Sequence, residues 1–247
     1  MANHPYIILV EPQLCENVGM AARAMKNCGL ENLRLVKPRE NHLSDKALAA
    51  SSNSPEILQN AQVFDSLSDA LGDLHYVFAT TARHRDQTKM VYDAPQAAAE
   101  IANHIAREEK CGLVFGPERT GLRNEDVSLC DAIINIPLNP QHCSLNLSQA
   151  VLLAGYEYYK TTIGQTKPYF ETNHTRLADK EKVLLFCRNL EGRLSNFANF
   201  TDEAKKDKLV LNLRNIFTRA QLTEQELNTL YGIVNYLAEG DFSSDGW

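Results

Sequence analysis

The 247-residue chain lacks most of the signals that identify a protein at a glance. No apolar stretch approaches the roughly 20 residues that span a bilayer. The opening MANHPYIILVEP carries no basic region ahead of an apolar one, and Tyr6–Val10 reads as a strand instead. The six cysteines (Cys15, Cys28, Cys111, Cys130, Cys143 and Cys187) never pair as C-x-x-C, and neither a disulfide framework nor a metal site wants such wide spacing. We therefore expect reduced, mostly packed thiols, no metal and a cytoplasmic location. No G-x-G-x-x-G follows the first strand and no G-x-x-x-x-G-K-[ST] occurs, which argues against a nicotinamide enzyme of the usual kind and a phosphate-loop nucleotidase. There is no G-x-S-x-G nucleophile turn, no internal repeat and no low-complexity tract.

Excess positive charge is missing too. The formal net charge is -6, which weighs against a nucleic-acid partner because Lys and Arg drive phosphate binding. The distribution is uneven, however. From Lys180 to Arg219 run Lys180, Lys182, Arg188, Arg193, Lys205, Lys206, Lys208, Arg214 and Arg219, against Glu181, Glu191, Asp202, Glu203 and Asp207. From Leu222 onward only acids occur. A basic segment inside an acidic chain is compatible with RNA contact, and equally with a solvated helix surface.

What is present is alternation. Tyr6–Val10, Leu33–Val36, Gln62–Phe64, Tyr76–Thr80, Gly112–Phe115 and Ala132–Ile136 read as strands. Helical patterns at Val18–Cys28, Ser44–Ala50, Ser66–Leu71, Pro95–Glu109 and Asn124–Leu129 separate them. Such alternation predicts an α/β fold, a mostly parallel sheet covered by helices, with ligands at the carboxyl ends of its strands. A long helix from Leu145 to about Tyr159 closes this unit. Leu147, Val151, Ala154 and Tyr158 share one face, and Leu145, Leu152, Tyr156 and Tyr159 the other. A helix apolar on both sides needs two covers. A second copy of the chain would supply the outer one, as a homodimer; the C-terminal unit is the other candidate. We read residues 1–162 as the α/β domain, 163–178 as a linker and 179–247 as a small helical domain. Its helices are expected at Asp179–Asn199, Glu203–Phe217 and Glu224–Ala238, the last opened by the capping box Thr223-x-x-Glu226.

Chemistry would sit in loops at strand ends. Glu16 to Arg23 opens the first helix. There Gly19 would let a ligand approach the backbone, and Arg23 suits a phosphate or ribose; a turn glycine and a solvated arginine fit as well. Gly116-Pro117-Glu118-Arg119-Thr120-Gly121 follows a strand directly and reads either as a loop folded on a ligand or as a surface turn. Ile136 to Ser148 carries two prolines, with Ser144 expected as N-cap of the long helix and Asn146 in its first turn, free to bond a substrate or a neighbouring loop. Thr80-Thr81-Ala82-Arg83-His84-Arg85 is a fourth strand-end loop, able to hold a cofactor or phosphate or simply to be solvated.

Together these loops resemble the three motifs of the SpoU branch of the SPOUT methyltransferases. Asn17-x-Gly19-x-x-x-Arg23 looks like the first, Val114 to Leu122 like the second, and Ile136-Pro137 with Ser144 to Ser148 like the third. The stretches Asn212 to Ala220 and Gln225 to Asn228 are similar to the TrmJ branch, bacterial enzymes that methylate the 2′-hydroxyl of cytidine or uridine 32 in tRNA. The resemblance implies a C-terminal trefoil knot, an obligate homodimer, S-adenosylmethionine as methyl donor and tRNA as substrate. Carried over to this sequence, it implies that Thr80, Thr81, Ala82, Gly116, Ile136, Cys143, Ser144 and Leu145 hold the cofactor. Family members usually have another small polar residue where this chain has Cys143. Arg23 would be catalytic, supported by Asn17, Ser144 and Asn146, with Glu118 holding Arg23 or the second loop. Ribosomal RNA or another tRNA position as target, or RNA binding without catalysis, are the alternative functions.

Overall fold

A computed structural model of the chain describes residues 4–82, 87–164, 175–196 and 203–239. The chain divides into two compact units, 1–166 and 167–247.

The first unit runs β1 (Tyr6–Val10), α1 (Cys15–Asn27), β2 (Leu33–Val36), α2 (Asp45–Ser51), α3 (Pro55–Gln59), β3 (Gln62–Phe64), α4 (Leu67–Leu71), β4 (Tyr76–Thr80), β5 (Met90–Tyr92), α5 (Ala94–Ala106), β6 (Cys111–Phe115), α6 (Asn124–Ser128), β7 (Ala132–Ile134) and α7 (Leu147–Ile163). The strands form one seven-stranded sheet in the order β3-β2-β1-β6-β4-β7-β5, and every ladder is parallel. β1, β2 and β6 are apolar along nearly their whole length because both faces of the sheet are covered. Ile7 and Leu9 point into a core shared with α1, α5 and α7, while Ile8 and Val10 point into one shared with α4 and α6. Arg34 is the exception in β2. It is 4% exposed, bonds both carboxylate oxygens of Asp73 at 2.6 and 3.0 Å and the Ala70 carbonyl at 2.6 Å, and lies 4.1 Å over the Tyr6 ring. A buried guanidinium is tolerable only when so fully bonded. The same pairing, helped by Lys110, holds the Asp73 carboxyl well below the ordinary range.

Several boundaries differ from the sequence expectation for physical reasons. α1 begins at Cys15 rather than Val18, because Glu40, distant in sequence, accepts the Cys15 N–H at 3.0 Å and replaces the local cap that Leu14 cannot give. β7 stops at Ile134, ahead of Pro137, which has no N–H to continue a ladder. α3 and β5 were not anticipated; both are short, and β5 is an exposed edge strand. Gly19 is a correction. A Cβ there would lie 2.2 Å from the Ala47 carbonyl oxygen and 2.9 Å from Ala50 Cβ, so the missing side chain admits α2 and not a ligand.

α7 is buried along Leu147, Val151, Ala154 and Tyr158, whereas Leu152, Leu153 and Tyr156 are 38–50% exposed. Its cap is Asn146, whose Oδ1 accepts the Ser148 N–H at 2.9 Å while Gln149 Oε1 accepts the Asn146 N–H at 3.2 Å. Ser144, expected to cap, therefore lies ahead of the helix; the Asn-x-x-Gln spacing wins because it satisfies donors in both directions. No helix among the described residues is long and apolar enough to cross a membrane.

The second unit holds α8 (Lys180–Asn196), α9 (Glu203–Arg219) and α10 (Glu224–Glu239). Phe186 meets Phe217 and Tyr231 edge to face, both at 5.0 Å. Thr223 and Glu226 form the expected box, with Glu226 Oε2 accepting the Thr223 N–H at 2.7 Å and Thr223 Oγ1 accepting the Glu226 N–H at 3.2 Å. Leu227 is buried, Leu230 and Val234 are half-buried, and Leu237 at the end of the stripe is exposed.

Adding one methyl at the α1–α2 crossing tests how tight it is. Gly19→Ala should cost about 1–3 kcal/mol, the usual range for overpacking. A lower urea midpoint would show it; an unchanged midpoint means the helices can part freely.

Candidate active site

β6, β4 and β7 are neighbours in the sheet, and their carboxyl ends open into one cavity of about 240 Å³. Its lining comes mainly from three places: Thr80 at the end of β4 with Thr81 and Ala82, the loop from Gly116 to Leu122 after β6, and Ile136, Leu138 and Cys143 to Leu145 after β7; Leu147 and Ala150 of α7 complete it. The strand ends are pinned where they turn. Thr80 Oγ1 donates to the Val114 carbonyl at 2.8 Å, and the Thr81 N–H donates to the Ile134 carbonyl at 3.1 Å. The second loop folds tightly on itself, with the Gly121 N–H bonding the Pro117 carbonyl at 2.8 Å. A Cβ on Gly116 would sit 2.2 Å from the Leu122 nitrogen, and Gly121 adopts a left-handed φ of 65°. Both glycines thus serve the loop's own closure.

One carboxylate ties this loop to the first. Glu118 Oε1 accepts from Asn17 Nδ2 at 2.7 Å, and Oε2 accepts from the Gln13 N–H at 3.0 Å. Asn17, itself 5% exposed, then accepts from Asn146 Nδ2 at 3.3 Å through its own Oδ1. The three loops singled out in the sequence are therefore joined by a single chain of side-chain bonds. Asn17, Glu118 and Asn146 bond one another and nearby backbone, and so hold the three loops together.

The other candidate residues divide clearly. Thr80, Thr81, Ala82, Gly116, Ile136, Cys143, Ser144 and Leu145 all line the cavity, as does Glu118. Cys143 is exposed there, unlike the remaining cysteines, which are buried free thiols. Ser144 is exposed and its hydroxyl has no partner among the described residues. Arg23 is not in this set. It lies exposed on α1, does not line the cavity of its own chain, and has no bond to Glu118 or to any other described residue. Glu118 thus holds the first loop through Asn17 and Gln13 instead of through Arg23, because the short Asn17 amide reaches it from inside the fold while Arg23 points outward. Arg83, His84 and Arg85 lie outside the described residues.

Sequence reasoning missed Gln13 and Leu138. The first acts through its main chain, which leaves no trace in residue type; the second is an ordinary leucine between two prolines.

The donor set suits an adenosine-bearing ligand. In the third loop the His142 and Gln141 amides bond to Asn139, while those of Cys143, Ser144 and Leu145 have no acceptor among the described residues. A cavity lined both by residues with free amides and by Leu138, Leu145 and Leu147 matches a purine, whose flat faces are apolar and whose ring nitrogens accept hydrogen bonds.

Residues 4–156 match the SpoU rRNA Methylase family, and residues 181–243 match the family described as the tRNA methyltransferase TrmJ C-terminal domain. The chain is 36% identical over 230 residues to the tRNA (cytidine/uridine-2′-O-)-methyltransferase TrmJ of Photorhabdus laumondii, covering 93% of this chain and 94% of that protein. It is 34% identical to the tRNA (cytidine/uridine/adenosine-2′-O-)-methyltransferase TrmJ of Pseudomonas aeruginosa, covering 92% and 91%. Among solved structures, TrmJ from Z. mobilis ZM4 superposes with a TM-score of 0.83 at 40% identity, covering 96% of this chain and all of that one. The chain belongs to the SpoU methylase family, in its TrmJ branch.

Removing the shared carboxylate should expose what it holds. Glu118→Ala leaves the buried Asn17 amide without its acceptor, a loss of about 1–3 kcal/mol. Chemical denaturation measures it, and a variant as stable as the parent would mean that the loops are held by packing alone.

Proposed function

We propose that this enzyme transfers a methyl group from S-adenosylmethionine to a ribose 2′-hydroxyl of tRNA, at cytidine or uridine 32 of the anticodon loop. The observation that carries this reading is one cavity lined by the second and third motif loops and the loop after β4, with free backbone amides in the third loop and the first motif loop tied to the other two through Asn17, in a chain so similar to named tRNA 2′-O-methyltransferases. When bound, the cofactor supplies a methyl carbon already activated by its sulfonium. The protein's task is then to align the ribose oxygen with that carbon and help remove its proton.

Thr80 to Ala82, Gly116, Ile136 and Cys143 to Leu145 would hold the cofactor, largely through backbone groups, so the exposed Cys143 is compatible with binding. Ser144 offers the free hydroxyl beside it, able to accept a hydrogen bond from the ribose. Asn17, Glu118 and Asn146 keep the three loops in register. Arg23 is assigned to the ribose or its adjacent phosphate. An arginine stays protonated to a pKa above about 12, so positioning and charge stabilisation are its role. Since Arg23 does not reach the cavity of its own chain, this assignment requires a homodimer in which the partner subunit's Arg23 completes the site. The exposed Leu152, Leu153 and Tyr156 of α7 support such a contact. The trefoil knot implied by the family would lie in the loops that line the cavity, and the helical unit would add tRNA contacts. We place the enzyme in the cytoplasm and assign it no metal.

Ribosomal RNA is the second reading, favoured by the name of the matched family. Incubating the purified protein with labelled S-adenosylmethionine and separate tRNA and rRNA pools, then mapping the modified nucleotide, decides between them. We expect label in tRNA at nucleotide 32; label in rRNA alone defeats the proposal. The relative from P. aeruginosa also names adenosine, so tRNAs differing at that base should be included.

Arg23→Ala should lower turnover by at least about 100-fold, the scale for losing one charge-stabilising donor. Cofactor affinity by calorimetry should be preserved. Turnover equal to the parent's would remove Arg23 from the mechanism.

A further inference from the structure

The helical unit's positive charge is less available than its composition suggests. Lys180 donates to the Thr218 carbonyl at 3.4 Å, Lys182 pairs with Glu224, Arg193 donates to Asn235 Oδ1 at 2.7 Å, and Arg214 grips both oxygens of Glu191 at 2.6 and 2.8 Å. Those side chains brace the three helices against one another. Among the described cations of that segment, Arg188, Lys208 and Arg219 are left without such partners.

The carboxyl edge of the sheet shows the opposite economy. The loops after β2, β1 and β6 lie side by side, since those strands are neighbours. They are stitched together by their acids and main chains. The Arg39 N–H bonds the Pro12 carbonyl at 3.1 Å, Glu40 accepts the Cys15 N–H at 3.0 Å, Glu118 accepts the Gln13 N–H at 3.0 Å, and Glu11 accepts Arg123 at 3.0 Å. Glu16 faces Lys46 at 3.7 Å. Each of these carboxylates is occupied by a neighbour. Three cations remain exposed beside them: Lys37 and Arg119 have no acid partner among the described residues, and Arg39 feels only Glu40, whose carboxylate also accepts the Cys15 N–H; the exposed acids nearby are Glu40, Asp45 and Asp65. Arg119 is also at the cavity, next to Glu118. Lys37 holds a left-handed φ of 46°, a conformation that lysine adopts at a cost and glycine or asparagine would adopt freely. Its N–H bonds the Phe64 carbonyl at 3.0 Å, so the turn is fixed and the side chain projects from a rigid base.

We infer that Lys37 and Arg39, with Arg119, form a phosphate-contacting edge that seats the RNA backbone on the catalytic unit itself, beside the cavity. The inference rests on RNA being the substrate and goes beyond it in naming which side chains take the phosphates and where. Phosphate contacts of this kind position a nucleic acid without reading its bases, and each releases counterions, so they register as salt dependence.

The test measures tRNA affinity of the full chain across a KCl series for the parent, Lys37→Gly, Arg39→Ala and their double variant. Lys37→Gly keeps the left-handed turn; should it melt early, Lys37→Asn removes the same charge in a residue that also tolerates that φ. With roughly 0.7–0.9 counterions released per phosphate contact, the double variant's log–log salt slope should be shallower by about 1.5. We expect its tRNA affinity at 0.15 M salt to fall about 10-fold, KM for tRNA to rise accordingly, and kcat and S-adenosylmethionine affinity to hold. Arg39→Lys, which keeps the charge, should keep the parent's slope. A double variant with the parent's slope and affinity overturns the inference, and so does an Arg39→Lys variant as weak as Arg39→Ala. Failure of the underlying reading looks different: the parent would then leave tRNA unlabelled, whatever the salt slopes.

Discussion

The Glu118 carboxylate is the interaction on which the rest of the site depends. Its two oxygens reach Asn17 and the Gln13 main chain, more than 100 residues away in sequence, and Asn17 passes the connection on to Asn146. No helix or strand links these positions directly. Each loop leaves a different strand, and parallel strands enter side by side only after long crossovers. Loops held only at their strand ends would sample many arrangements, and a site for aligning three atoms cannot tolerate that. A charged acceptor between two donors is about the strongest restraint available to neutral partners.

Long-range restraint is a general habit of this chain. α1 has no local cap and borrows Glu40; β2 carries a buried arginine that makes sense only against Asp73 and the Tyr6 ring. Neither is visible to local propensity. The long apolar strands are legible because period and length agree, and the capping box at Thr223 is local chemistry; at the start of α7 the sequence points to Ser144, and Asn146 caps instead. The failures have the same origin in reverse. β5 is a three-residue exposed edge strand with no periodicity to show, and α3 is a single turn and a half behind a proline. Gly19 reads from sequence as room for a ligand or as a turn glycine, and neither holds, because sequence cannot say that α2 fills the gap.

The cavity was legible for a different reason. Its residues are adjacent in the sequence to strand ends, and a parallel sheet gathers strand ends at one edge. Thr80, Gly116 and Ile136 follow three neighbouring strands, so finding the strands was nearly enough to find the site. Arg23 shows the limit of that logic. It belongs to the same motif as Asn17, yet the helix turns it outward, and no rule about strand ends assigns it a place in a single chain.

Charge completes the picture. A net charge of -6 repels a polyanion at long range, but the whole-chain sum is the wrong quantity for contact. At physiological salt the screening length is about 8 Å, far shorter than this molecule, so a phosphate responds to the side chains around it. What matters is which charges are left over after the fold has used the others. Here carboxylates such as Glu11, Glu40 and Glu118 are consumed in bonding loop to loop, and Glu191 and Glu224 in bonding helix to helix. An acid engaged with a backbone amide or an arginine presents a dipole rather than a bare charge to an approaching phosphate, and its repulsion falls off faster. An acidic protein can thus keep a cationic edge, provided its acids are spent where the fold needs them.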